Sequence, residues 1–130
     1  MTHDDVQDWL DRYVAAWRTY DPVAIGELFG QDAEYRYHPW DEPIRGRDEI
    51  VRAWVAPEGS ESGRDEPDTW DARYEPYAVE EGRAVAIGWS RYLADGDSPE
   101  KLYHNCYLLE FDGDSRCRSF TEYYVEQRTP

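Results

Sequence analysis

A carboxylic acid within an aromatic strand, Glu122, is the residue of this sequence best suited to chemistry. Residues 102–111 and 116–126 have the composition of two strands joined by an Asp-Gly-Asp-Ser turn, which places Asn105 and Glu122 on one face. A carboxyl among aromatic side chains has a raised pKa, as a general acid or base needs near neutral pH. The alternative is a structural role, in which Glu122 only accepts hydrogen bonds from Asn105 or a tyrosine.

The same hairpin predicts an aromatic surface around this carboxyl. A four-residue turn that pairs Phe111 with Arg116 sets Asn105 opposite Glu122, and a two-residue turn would keep the same residues on that face. The pairing also sets Tyr103 opposite Tyr124 and Tyr107 opposite Phe120. We therefore expect a ligand pocket whose hairpin residues are Tyr103, Asn105, Tyr107, Phe120 and Tyr124.

The opposite face of the hairpin is smaller and moderately apolar, which suits a contact between two subunits and predicts a homodimer. Its residues are His104, Cys106, Leu108, Cys117, Ser119, Thr121 and Tyr123. The two cysteines lack the spacing of zinc or redox motifs, so we interpret both as structural thiols.

A histidine and a second carboxyl lie in the segment 38–46, which two prolines and a glycine mark as a loop. Histidine side chains titrate near neutral pH, so His38 and Asp41 are further candidates for acid or base chemistry at the rim of the pocket. The alternative is that a histidine before a proline is an exposed loop residue.

Other aromatic side chains would enlarge the pocket, because their faces offer a flat ligand a large contact area. Trp70 and Trp89 could contribute, although Trp89, like Trp9, is expected in the core. The pocket residues expected outside the hairpin are Tyr13, Trp17, Tyr37, Trp40 and Trp54.

The elements that must position these residues follow from hydrophobic spacing. Apolar residues three and four apart predict a helix over 6–20. Asp21 and Pro22 begin a second helix that runs to about Phe29 and ends at Gly30. The remaining predictions are a strand over 33–37, a helix from 48 to about 55, an exposed loop over 57–68 that could act as a lid, and strands over 69–79 and 84–93. Helices followed by hairpin-linked strands predict one α+β domain over residues 1–130.

Composition narrows the classes of function. The formal net charge of −15 disfavours nucleic acids and anionic membranes as partners. No loop has calcium-ligand spacing, and neither a phosphate-binding glycine loop nor a nucleophile motif is present, so we expect no metal and no cofactor. The acidic, polar beginning and the lack of a long apolar run predict a cytoplasmic protein.

Four short motifs in order resemble the SnoaL-like branch of the nuclear transport factor 2 superfamily. They are residues 17–29 with Asp32 and Ala33, Gly46-Arg-Asp-Glu-Ile50, Tyr103-His-Asn-Cys-Tyr107, and Phe111-Asp-Gly with Phe120-Thr-Glu-Tyr-Tyr124. The resemblance covers nearly the whole chain. It implies a cone-shaped, cystatin-like α+β fold, in which three N-terminal helices pack on a strongly bent antiparallel sheet.

The resemblance also implies a range of activities, since the superfamily includes ketosteroid isomerases, polyketide cyclases, scytalone dehydratase, limonene epoxide hydrolase and proteins that only bind or dimerise. The position of the isomerase base holds Tyr37 here, with His38 and Asp41 just beyond it. Arg91 could supply the cation that the epoxide hydrolase uses, but no aspartate pair is evident around it. The tyrosines, with His38 and His104, match the residue types that the dehydratase uses.

We therefore expect a pocket protein for a small apolar or aromatic molecule, with an isomerase, cyclase or dehydratase reaction by proton transfer. The alternative is a noncatalytic ligand-binding or dimerisation module of the same fold. A third interpretation is an acidic surface that binds a basic protein, which would be sensitive to salt.

Overall fold

Three helices precede most of the strands, as the α+β prediction requires. The computed structural model describes residues 1–56, 65, 68–94 and 99–128. Its helices are α1 (His3–Thr19), α2 (Pro22–Glu27) and α3 (Arg47–Trp54). Its strands are β1 (Phe29–Arg36), β2 (Ile44–Arg45), β3 (Trp70–Glu80), β4 (Arg83–Tyr92), β5 (Lys101–Phe111) and β6 (Cys117–Glu126). The predicted loop over 57–68 lies outside the described residues, except for Asp65 and Asp68.

The first two helices are closed by local capping. Thr2 and Asp5 form a reciprocal capping box at the start of α1, and Tyr20 ends the helix in a left-handed conformation with φ of 52°. Asp21 accepts a hydrogen bond from the Val23 amide at the start of α2. This helix ends at Glu27, earlier than predicted, because the following residues extend into β1.

The strands form one sheet in the order β2-β1-β6-β5-β4-β3. Neighbouring strands are antiparallel except β1 and β6, which are parallel from the Phe29–Cys117 pair to the Arg36–Thr121 pair. The short strand β2, which the sequence analysis placed within a loop, pairs with β1 at its edge. The α+β plan is confirmed, with one parallel pair within the predicted antiparallel sheet.

The register of the last hairpin differs from the prediction. The observed partners are Tyr103 with Glu126, Asn105 with Tyr124, Tyr107 with Glu122, Leu109 with Phe120 and Phe111 with Cys117. Between the last two pairs, Arg118 is an extra residue, which makes a β-bulge. The bulge turns Cys117 into the core, where it is fully buried, rather than onto the opposite face as predicted. The other residues keep their predicted faces because the remaining shift is even.

The β3–β4 hairpin turns at Glu81 and Gly82, which have φ of 27° and 81°. Further along, Gly88 lies opposite Tyr74. A Cβ atom at Gly88 would clash with the Arg73 carbonyl oxygen and the Tyr74 ring. Glycine therefore allows the two strands to approach closely where the Tyr74 side chain enters the core.

The core between the helices and the sheet is largely aromatic. Trp9 is 1% exposed, and its ring packs against Tyr13, Phe29 and Phe111. Trp89, also expected in the core, is half-buried on the opposite face of β4, where it pairs with His104. Within the described residues, no helix is long and apolar enough to cross a membrane.

Candidate functional site

A cavity of about 1000 Å³ opens where the end of β1 and the loop after it meet β4, β5 and β6. A narrower recess of about 260 Å³ continues inward between α1 and the sheet. We call these the outer chamber and the inner recess. The residues that line both are Tyr35, Tyr37, Asp65, Ser90, Tyr92 and Glu122.

Glu122 is held at this junction by a chain of hydrogen bonds across three strands. Asn105 Nδ2 on β5 donates to Glu122 Oε2 at 2.9 Å, and Ser90 Oγ on β4 donates to Asn105 Oδ1 at 3.1 Å. Burial raises the pKa of Glu122 to about 7, while the Asn105 bond and the nearby His38 oppose this shift. Near neutral pH the carboxyl therefore exists in both protonation states, as proton transfer requires.

Tyrosine hydroxyls surround the carboxyl on the core side. Tyr13 and Tyr35 share a hydrogen bond of 3.4 Å, and burial raises the pKa of both phenols well above the ordinary value. Burial also raises the pKa of Tyr37 to about 12. These side chains stay protonated at neutral pH, so they can donate hydrogen bonds to a ligand.

His38 forms a second polar cluster at the mouth of the outer chamber. Its Nδ1 lies 2.9 Å from Asp41 Oδ2 and its Nε2 lies 3.0 Å from the Tyr124 hydroxyl. The Trp40 ring, which is 79% exposed, stacks on the imidazole at 4.9 Å between centroids. Tyr124 is two residues from Glu122 on β6, so both clusters contact the same end of the cavity.

Asp65 brings another carboxyl to the cavity. It accepts a hydrogen bond from Trp17 Nε1 at 2.8 Å, and its amide donates to the Tyr20 hydroxyl at 2.8 Å. Burial raises the pKa of Asp65 above the ordinary value. Sequence reasoning missed this residue because it expected 57–68 to be exposed for lack of apolar side chains, whereas Asp65 is tied by polar contacts.

The cavity brings together most of the residues predicted for the site. Around the outer chamber lie Tyr37, His38, Trp40, Asp41, Tyr103, Asn105, Glu122 and Tyr124. Around the inner recess lie Tyr13, Trp17, Tyr37, Trp54, Tyr107 and Glu122. Phe120, predicted for the pocket, lines neither chamber. It is fully buried and stacks on Tyr35 at 4.3 Å between centroids, because the parallel β1–β6 pair covers it.

Sequence reasoning also missed Tyr35, Ser90 and Tyr92. The alternation of strand faces was the available signal, since Tyr35 shares its face with Tyr37, and Ser90 shares its face with Tyr92. By contrast, Arg91 lies on the opposite face of β4 and contacts Glu100 at 3.5 Å. It takes no part in lining either chamber among the described residues.

The described residues contain no group of three or more side chains of the kind that hold a metal ion. Cys106 and Cys117 are both free thiols, and burial raises the pKa of each. The side chains that line the outer chamber offer carboxyl, imidazole, amide, phenol, hydroxyl and ammonium groups.

Comparison with known proteins identifies the family. The sequence matches no curated protein. The fold is similar to that of an NTF-2 like protein of unknown function from Burkholderia xenovorans LB400, with a TM-score of 0.65, 16% sequence identity and coverage of 98% of this chain and 88% of that chain. A family model for the SnoaL-like domain matches residues 10–117. Because this match spans most of the sequence and agrees with the observed fold, the chain belongs to the SnoaL-like domain family.

Proposed function

We propose that this protein binds a small, largely apolar or aromatic molecule in the cavity and transfers a proton on it, with Glu122 as the acid or base. The observation that carries the proposal is the position of Glu122, which lines both chambers at their junction. At this position, burial raises the pKa of Glu122 to about 7. Perturbed carboxyls that face a cavity are typical of catalytic sites. Membership of the SnoaL-like family supports a function of this general kind.

The surroundings suit an isomerase, cyclase or dehydratase reaction that starts beside a carbonyl group. The Glu122 carboxylate would take a proton from carbon, and the negative charge would pass to the carbonyl oxygen. Asn105 and the neutral phenols of Tyr37 and Tyr103 are the hydrogen-bond donors available to that oxygen. Return of the same proton to another carbon completes an isomerisation with no oxidant, reductant or metal.

The His38 cluster supplies a second acid or base for the same cavity. Asp41 contacts the imidazole Nδ1, which orients the ring so that Nε2 meets the Tyr124 hydroxyl. A proton could then pass between His38 and a ligand oxygen through Tyr124. In a dehydratase this cluster would protonate the leaving hydroxyl while Glu122 removes the proton from carbon.

One observation favours the alternative of a noncatalytic binding module. Glu122 already has a partner in Asn105, and Asn105 has one in Ser90, so the polar groups satisfy each other without a ligand. In that case Glu122 would only brace the three strands.

Solvent exchange distinguishes the two functions. Aromatic, steroid and polyketide-like compounds that raise the melting temperature would be incubated with the protein in heavy water, and deuterium incorporation would be measured by mass spectrometry. Proton transfer predicts incorporation at carbon that falls by about 100-fold or more in Glu122→Gln. The matched control is Glu126→Gln, an exposed carboxyl on the same strand. Binding without exchange in the wild-type protein would support the noncatalytic module.

We also propose a homodimer through the outer sheet face, which we define by Val85, Leu108, Tyr123 and Val125. Leu108 and Tyr123 are 42% and 43% exposed, and Val125 is 70% exposed. Val85 pairs with Leu108 across β4 and β5, and Tyr123 pairs with Cys106 and Val125 with His104 across β5 and β6, so the four side chains lie on one sheet face. A second copy of the chain, related by a two-fold axis, would cover these exposed apolar side chains.

A further inference from the structure

The cavity carries more negative charge than its described neighbours neutralise. The carboxyls that face the outer chamber belong to Asp41, Glu42, Asp65 and Glu122. The basic side chains that line the same chamber are Lys101, which is exposed, and His38, which pairs with Asp41. No described arginine or lysine forms an ion pair with the other three carboxyls. A ligand that brings a positive charge would therefore gain electrostatic energy that a neutral ligand would not.

Aromatic rings form the walls between these carboxyls. Tyr103 meets Tyr92 at 5.8 Å and Tyr124 at 5.4 Å between centroids, with both pairs nearly perpendicular. Tyr37 and Trp40 complete the aromatic lining of the outer chamber. Faces of such rings attract cations, and the combination of aromatic walls with carboxylates is how proteins recognise organic ammonium groups.

A polar atom in the inner recess points independently to a ligand. Trp54 is 6% exposed and lines the recess, and its buried Nε1 has no hydrogen-bond partner among the described residues. A buried N–H group without an acceptor is costly, so the recess suits a ligand that offers an acceptor atom. The recess is thus lined by Trp54, whose N–H has no described acceptor, and by the carboxyls of Asp65 and Glu122.

We infer that the cavity takes an aromatic or polycyclic amine, with its ammonium group held by Glu122 and Asp65 and its ring system against the tyrosines of the outer chamber. This inference rests on the proposed function only in using the same cavity, since it does not require proton transfer. Carboxylate and phosphate ligands are disfavoured by the same charges, because they would meet two half-buried carboxyls without a described arginine to pair with.

Three probes of one shape and different charge test the ligand class. Naphthylmethylamine is positive at neutral pH, naphthylmethanol is neutral and naphthoate is negative. Binding would be measured by titration calorimetry for the full chain. We expect the amine to bind about tenfold or more tightly than the alcohol, and naphthoate to bind most weakly. Glu122→Gln and Asp65→Asn should each reduce this preference, while Glu75→Gln, an exposed carboxyl on β3, should leave it unchanged.

Each result decides the inference. Equal binding of the amine and the alcohol would overturn it, as would a preference that survives both cavity substitutions or the failure of all three probes to bind. If amine and alcohol bind equally but deuterium exchange depends on Glu122, the ligand class is wrong and the proposed proton transfer stands. If the amine preference holds without exchange, the ligand class stands and the proposed reaction fails.

Discussion

Asn105 Nδ2 lies 2.9 Å from Glu122 Oε2, although the two residues are not cross-strand partners. Asn105 pairs with Tyr124 and Glu122 pairs with Tyr107, so the bond runs diagonally across the β5–β6 hairpin. Ser90 extends the contact onto β4. One amide therefore connects three strands and holds the carboxyl at the junction of the two chambers.

Asn105→Ala should raise the pKa of Glu122 further, because the Asn105 bond is the strongest of the contacts that favour the ionised form. The substitution should also lower the free energy of unfolding by about 1–3 kcal/mol, since it removes the partner of two polar groups. Carbon NMR of the Glu122 carboxyl and urea unfolding measure the two effects. Ser90→Ala is the control, because it leaves the bond to Glu122 in place. An unchanged Glu122 pKa in Asn105→Ala would show that the amide does not set the charge of this carboxyl.

Glu122 also predicts how stability depends on pH. Burial raises the pKa of Glu122 from an ordinary value of 4.5 to about 7, so the folded state binds the proton more tightly than the unfolded state. The resulting stabilisation is fully present below the unfolded value and is lost as pH rises through about 7. The free energy of unfolding of the wild-type protein, relative to Glu122→Gln, should fall by up to about 3 kcal/mol across this interval.

Unfolding at several pH values, for both proteins, checks this trend. The comparison is repeated in a His38→Gln background, which removes the imidazole that acts electrostatically on Glu122. A difference between wild type and Glu122→Gln that stays constant with pH would contradict a raised Glu122 pKa.

The helices, and the faces of the strands to which side chains point, were predictable because both depend on the spacing of apolar residues along the chain. The apolar positions from Val6 to Trp17 predicted α1, and alternation placed Asn105 and Glu122 on one face even though the predicted register was wrong. That register depended on a turn one residue longer than predicted and on the Arg118 bulge, and no local residue type marks either feature. The same bulge moved Cys117 into the core.

The cavity was less predictable because its walls come from distant segments. Asp65 joins the site through Trp17 and Tyr20, and no pattern within residues 57–68 indicates those contacts. Phe120 has the residue type of a pocket wall, but the parallel pairing of β1 with β6 covers it. Strand order is a tertiary property, so hairpin geometry alone could not separate Phe120 from Glu122.

Gly88→Ala should destabilise the protein by overpacking the contact between β3 and β4. Its methyl group would clash with the Arg73 carbonyl oxygen and the Tyr74 ring, so β3 must shift away from β4. Overpacking of this kind costs about 1–3 kcal/mol, which urea unfolding would detect. Gly113→Ala is the matched control, because a Cβ atom there meets no atom within 4 Å. Equal stability of the two variants would show that the strands do not need this close approach.

Leu108→Asp should convert the proposed dimer into a monomer. Leu108 lies within the outer sheet face, where a buried aspartate at a subunit contact would lose its hydration without gaining a partner. Tyr123→Asp, on the neighbouring strand, should have the same effect because the two side chains belong to one surface. Analytical ultracentrifugation gives the mass of each variant, and circular dichroism shows whether it is folded.

Val23→Asp is the control, since this valine is 67% exposed on α2, away from the sheet. If both sheet variants keep the wild-type mass while folded, the outer sheet face is not the interface.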